Sequence, residues 1–284
     1  AWDFRLEVIK ELRKIDPTRI VIDDSAIGAG ERLIWNPYDE NPSPHWHGHT
    51  YRPCPVTQKV FNELSSFGQT NMLNFVSEFG FGGFNNLSEV VAEYERHGAD
   101  KRLSDYKQYS ALLLQLYEKF DKYRLNEVFG SVDHFIDLSQ QLQADEACTQ
   151  ARALRINPKI AGYVFTQWND ASFEMTAGLV DPWRRPKKAF HSFKEVNSSL
   201  CIVIRPKKHS YYYGNSMEVE CNLVNENHIS CSAVMIITIY KEREVFDIIK
   251  QNITITGQEI QKVENVEELL AGIILPPGYY TIEA

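Results

Sequence analysis

Cysteine is scarce in this 284-residue chain, and the 5 present (Cys54, Cys148, Cys201, Cys221, Cys231) are scattered. An odd, dispersed set without a C-x-x-C pair speaks against a zinc ribbon or a disulfide framework. Long apolar runs are also lacking, and no stretch of roughly 18 such residues reads as a membrane-spanning helix. Positive charge is short: 30 Lys+Arg stand against 38 Asp+Glu, a formal net charge of −8. A nucleic-acid partner is excluded on that ground, because binding one needs a basic face that displaces counterions from phosphate. The sequence has no phosphate-cradling glycine loop, since Gly28-Ala29-Gly30 lacks the strand-to-helix context such a loop requires. It has no internal repeat and no low-complexity tract. No basic start with an apolar core stands at Ala1; a processed chain would read the same, so cytoplasmic and periplasmic or secreted locations both stay open.

What is present is an ordinary globular composition, 43% apolar and 24% charged. That is enough for one large domain or two modest ones. Up to about Val196, helical and extended patterns alternate. Phe4–Lys14 carries an apolar stripe at Leu6, Val8, Ile9 and Leu12, and Asp16-Pro17-Thr18 ends it. Arg19–Asp23, His45–Tyr51, Met72–Phe79 and Ile160–Trp168 read as strands. Thr57–Ser66, Leu87–Arg96, Ser104–Tyr123, Val132–Arg155 and Arg185–Val196 read as helices. Such alternation implies βα units around a parallel sheet.

From Leu200 the helical signal nearly vanishes. Short strands are expected at Leu200–Arg205, Met217–Asn225, Ala233–Tyr240, Glu244–Ile249, Asn252–Thr256 and Tyr279–Glu283, with turn residues between them. Every second residue of Met217–Leu223 is apolar, the mark of a half-buried strand. The expected fold class is therefore α/β plus all-β. On this expectation residues 1–197 form a (β/α)8 barrel or part of one, and residues 198–284 an immunoglobulin-like β-sandwich.

The chemistry gathers at strand ends. Glu78 closes an apolar strand and is followed by Phe79, Gly80, Phe81, Gly82, Gly83 and Phe84. A lone Glu there is commonly a salt-bridged or solvated residue. The glycines let a ligand approach the backbone, and the aromatic rings offer platforms for sugar faces. A carboxylate at the C-terminal end of a barrel strand also suits nucleophilic glycosyl transfer. His45, His47, His49 and Tyr51 alternate, so a strand would set them on one face. They admit three readings: a zinc set lacking an evident fourth ligand, a polar surface strand, or hydrogen-bonding groups for sugar hydroxyls. The third is preferred, through His47 and Tyr51. Trp168 is either a core residue or the floor of a sugar subsite. Asn169 and Asp170 either bind hydroxyls or cap the next helix. Asp23 and Asp24 end the first expected strand, where Asp24 either lines the pocket or orders the loop. Asp170 and Glu174 are conceivable acids that no spacing singles out.

Three segments resemble glycoside hydrolase family 2, which holds β-galactosidases, β-glucuronidases and β-mannosidases. Val76-Ser77-Glu78-Phe79-Gly80-Phe81-Gly82-Gly83 is similar to the family's nucleophile segment. Ile160–Asp170 resembles its last barrel strand, which carries a Trp in the substrate pocket. Gly178-Leu179-Val180-Asp181 with Arg184–Phe190 resembles the run into the final barrel helix. A trailing sandwich fits as well. The resemblance implies a retaining, exo-acting β-glycosidase, galactosidase- or mannosidase-like, with Glu78 as nucleophile and with Trp168, Asn169, His47, Tyr51 and Asp24 as substrate-binding residues. It demands no cofactor and no metal, although some relatives bind a divalent cation; oligomerisation is possible. The family's acid/base is the Glu of an Asn-Glu pair at barrel strand 4. Asn62-Glu63 stands too close before Glu78 to serve, and Asn126-Glu127 and Asn225-Glu226 come after it. The expectation is thus a C-terminal half-barrel, strands 5 to 8. Its partners are a β-linked oligosaccharide and a missing N-terminal part of the same enzyme that bears the proton donor. The alternative is a non-catalytic carbohydrate-binding or scaffold remnant.

Overall fold

The computed structural model describes residues 2–19, 45–71, 73–171 and 173–284, apart from the side chains of residues 2, 3, 5, 6, 9 and 45–47. The strand expected before Asp24 lies outside the described residues, as does Asp24 itself. The chain folds as two compact units. One comprises Ala1–Pro53, Ser66–Ala147 and Lys159–Phe190; the other comprises Cys54–Ser65, Cys148–Pro158 and His191–Ala284.

Elements to residue 198 run α1 (Trp2–Ile15), β1 (His45–His49), α2 (Gln58–Leu64), β2 (Leu73–Phe79), α3 (Leu87–Arg96), α4 (Ser104–Lys122), α5 (Asn126–Phe129), α6 (Val132–Arg155), β3 (Ile160–Phe165) and α7 (Lys188–Val196). Helix α1 ends in Arg13 and Lys14, cations that suit the carbonyl end of the helix dipole. Asp16 then turns the chain, accepting hydrogen bonds from the backbone N–H and hydroxyl of Thr18. The single turn α5 was not expected from sequence; Gly130, at φ 74°, closes it.

In the first unit, β1, β2 and β3 form a parallel sheet in that order. Parallel neighbours need long crossovers, and α3 to α6 occupy the one between β2 and β3. The central strand β2 buries Asn74, Val76 and Phe79. Asn74 is a buried amide with full employment: it donates to the carbonyls of Gln69 and Lys159 and accepts from Gln69 N. Helices α3 and α4 close on Leu87, Val90 and Tyr109, and α4 meets α6 around Phe120, Val132 and Ile136.

The second unit carries β4 (Leu200–Pro206), β5 (Val219–Asn225), β6 (Ser230–Lys241), β7 (Glu244–Thr256), β8 (Ile260–Lys262), α8 (Val266–Ala271) and β9 (Tyr280–Glu283). They make two antiparallel sheets, ordered β4-β5-β8 and β7-β6-β9. Alternate residues of β5 (Val219, Cys221, Leu223) and of β6 (Met235, Ile237, Ile239) enter one shared apolar core. The alternation read over Met217–Leu223 is therefore the inward face of β5. Three details differ from the sequence expectation, the first being β8, where no strand was expected. The strands expected at Glu244–Ile249 and Asn252–Thr256 are one strand, β7, because β6 pairs with it along its whole length. A short helix, α8, stands where no helix was expected, and it drops Val266 and Leu270 into the core one turn apart. At the edge of this unit the buried Arg155 guanidinium donates to the carbonyls of Val196 and Ser198 and to Glu226 Oε1, so the end of α7 and the end of β5 are tied through one cation.

Candidate active site

The carboxyl ends of the parallel strands converge through their backbones. Thr50 N donates to Glu78 O at 2.8 Å, and Thr166 N donates to Phe79 O at 2.7 Å. Gly80 permits this approach, because a Cβ there would overlap the Thr166 carbonyl. The pairing of β1 with β2 shifts register between Gly48 and His49, which sets His49 against Glu78.

Two side chains grip the Glu78 carboxylate. Tyr51 Oη donates to Oε1 at 2.6 Å, and His49 Nδ1 lies 2.8 Å from Oε2. The carboxylate is only partly covered, with 26% of the side chain exposed. It is thus fixed in orientation and still open to a ligand. Burial pushes the Tyr51 hydroxyl up to about 12, and the hydrogen bond to Glu78 adds to the rise; a hydrogen bond with Thr166 works the other way. Tyr51 therefore stays a proton-bearing donor to Glu78 across neutral pH.

Trp168 lies two residues past Thr166 and is 58% exposed, with its ring edge-on to Phe190 at 5.8 Å. An open indole suits the apolar face of a sugar ring. Asn169 is half-buried, and its amide donates to the Asp170 carbonyl. His47 belongs to β1, but its side chain is outside the described residues. The structure thus brings together Glu78, Tyr51 and the backbone leading to Trp168.

Asp170 is a different case. Its side chain is fully buried, pairs with Lys187 Nζ at 2.9 Å and accepts from Gly178 N at 2.6 Å. It neither offers an open acid nor caps the following helix. Burial raises the Asp170 carboxyl above, and lowers the Lys187 ammonium below, its ordinary value, each partly offset by the other. Trp183 stacks on His97 and meets Tyr94 edge-on, so it orders its loop against α3.

His49 was passed over in favour of His47 on sequence. Strand alternation put all three histidines on one face but could not say which would stand level with Glu78; the bulge decides that. Gln143 and Lys187 were also missed. A Gln inside a helix and one lysine of the basic run Arg184–Lys188 carry no sequence signal for burial. Among the described residues no group of three or more His, Cys, Asp or Glu gathers as a metal site, and no helix is long and apolar enough to cross a membrane.

No protein-family model matches the chain, and neither does any curated protein. Among the solved structures similar to it in part are the following two. A β-D-mannosidase from Dictyoglomus thermophilum is 17% identical with a TM-score of 0.45, over 75% of this chain and 26% of that one. An FMN-binding β-glucuronidase from Facaelibacterium prausnitzii L2-6 is 12% identical with a TM-score of 0.35, over 92% of this chain and 37% of that one. The chain thus spans well under half the length of either. Both are glycosidases by name. At these TM-scores neither likeness decides the fold or the activity of this chain.

Proposed function

We propose that this chain carries the nucleophile side of a retaining, exo-acting β-glycoside hydrolase site of family 2 type, acting on a β-linked oligosaccharide or glycoside. On this reading β1, β2 and β3 stand as barrel strands 6, 7 and 8, and the two antiparallel sheets are an immunoglobulin-like sandwich. The observation that carries the reading is the Glu78 carboxylate, gripped by Tyr51 and His49 at the carboxyl end of the central parallel strand and still partly open. The resemblance of three segments in the family's order supports it. Glu78 attacks the anomeric carbon, and the sugar leaves its aglycone to form a glycosyl ester that water then cleaves. Trp168 supports the sugar ring, and Tyr51 holds Glu78 in its attacking rotamer. Such a step also needs a proton donor about 5–5.5 Å from the nucleophile to protonate the departing aglycone oxygen.

The test isolates the nucleophile from the donor. A 2,4-dinitrophenyl 2-deoxy-2-fluoro-β-mannoside or -galactoside needs no acid help, because dinitrophenolate departs with its bonding electrons unprotonated. The fluorine slows hydrolysis of the ester that forms. Incubation should add one fluoroglycosyl group to Glu78, located by peptide mass mapping and absent in Glu78→Gln. Ordinary alkyl glycosides, which need the donor, should turn over slower by roughly 10²–10⁴-fold or more without it. Saturable sugar binding with no label on Glu78 would instead favour the carbohydrate-binding remnant, for which an exposed Trp168 would serve equally well.

A further inference from the structure

Behind the candidate site lies a set of polar side chains that touches no solvent and that the reaction does not use. Gln143 from α6, Asp170 from the loop after β3 and Lys187 just before α7 are each almost wholly buried. Gln143 Nε2 donates to Phe81 O at 2.9 Å and to Gly178 O at 3.1 Å, with Thr176 O and Ala177 O both at 3.3 Å. Lys187 Nζ donates to Gly83 O at 2.8 Å, Thr176 O at 3.0 Å and Asp170 Oδ2 at 2.9 Å. Gly83 N in turn donates to Thr176 O at 2.9 Å. Phe81 and Gly83 belong to the loop that follows Glu78. Thr176, Ala177 and Gly178 belong to the loop that follows Trp168. Each of the two donors therefore bonds both loops.

An ammonium has three protons, and here each one has an acceptor. Such a cation is costly to bury for packing alone, since an apolar side chain of similar size would fill the space. What the apolar residue could not do is hold carbonyls of two separate loops at fixed separation. We propose that Gln143 and Lys187, with Asp170 as counter-ion, are positioning residues that lock the Glu78 loop to the Trp168 loop, so that nucleophile and sugar platform keep one relative geometry. The role assigned to the two loops rests on the reading of Glu78 as nucleophile; the lock between them does not. Displacement of reacting groups by about 1 Å costs on the order of 10²-fold in rate, so a fixed separation matters to the chemistry.

The test uses the full 284-residue chain and two readouts. Backbone hydrogen exchange follows Gly83 and Gly178 in Lys187→Met, Gln143→Leu and the control Lys188→Met, whose lysine makes a half-exposed ion pair with Asp137. Both lock variants should speed exchange at least tenfold in the 80–84 and 174–180 segments together, with the control unchanged. In parallel, the rate constant for labelling Glu78 by the fluoroglycoside should fall at least tenfold in the lock variants, measured well below their melting temperatures. Gln143→Leu keeps the ion pair intact and so guards against misfolding of Lys187→Met. Exchange that rises in only one loop, or in neither, overturns the lock. Coupled exchange with an unchanged labelling rate overturns the positioning role. If wild type takes no label while exchange is coupled, the nucleophile reading fails and the lock stands.

Discussion

The paired sheets of the second unit and the surroundings of the candidate site in the first are buried by different chemistry. The antiparallel sheets of the second unit share a core of Val219, Cys221, Leu223, Met235, Ile237 and Ile239, an apolar packing in which no residue depends on one partner. The first unit, around its candidate site, buries Asn85, Gln143, Asp170 and Lys187. Those groups stay buried only because each has hydrogen-bond partners, most of them loop carbonyls. An apolar core defines a shape by volume and tolerates change in proportion to the volume lost. A buried polar set defines distances between chosen atoms and tolerates little. The second unit buries polar groups as well, Arg155 and Asn225 among them, but it is at the candidate site that such a set joins the loop after Glu78 to the loop after Trp168.

The sharpest way to break the contrast is to unpair the charges. Lys187→Met leaves a fully buried Asp170 carboxylate uncompensated and should cost about 3–5 kcal/mol, read from urea unfolding of the first unit. The double variant Asp170→Asn with Lys187→Met removes both charges and should recover much of that loss. If the single and double variants were equally damaged, packing rather than charge would explain the site. In the second unit, Ile237→Ala should cost about 2–5 kcal/mol, the ordinary range for a cavity in a packed core. It should leave the labelling of Glu78 unchanged, whereas Val234→Ala on the outer face of the same strand should stay within about 0.5 kcal/mol. A fall in labelling for Ile237→Ala would show that the two interiors are not independent.

A smaller effect than that of unpairing the charges or emptying the core lies at the site surface. Tyr51→Phe removes one hydrogen bond to a charged acceptor and should slow labelling about tenfold. The Tyr51 hydroxyl is raised in the fold from 10.0 to about 12. Its stabilising contribution is therefore complete below pH 10 and lost as pH climbs through about 12. The phenolate absorbance missing in Tyr51→Phe should appear with that late midpoint; a midpoint near 10 would mean that Tyr51 is not held against Glu78.

Periodicity and turn chemistry were enough to read most elements of both units. Helix α3 was legible at Leu87–Arg96 because its apolar spacing and its boundaries agree, and β5 because Met217–Leu223 alternates. The division of Glu244–Thr256 into two strands misled because the polar pair Lys250-Gln251 interrupts the apolar pattern, whereas β6 pairs with β7 across that gap. Glu78 and Tyr51 were legible as strand-end chemistry. His49 was not, since one bulge chooses among three alternating histidines, and the Asp170–Lys187 pair was not, since burial of a charge leaves no mark in a basic run.

What the sequence by itself determined is local: which segments are helical or extended, which face of each is apolar, and which carboxylate ends an apolar strand. These follow from the fixed periods of helix and strand and from the special conformations of glycine, proline and Asx residues. Only the tertiary structure decided which of those groups meet. Contact between Glu78 and His49, or between Lys187 and the Gly83 carbonyl, depends on strand register and on crossovers tens of residues long, and the pattern of neighbours along the chain does not encode either.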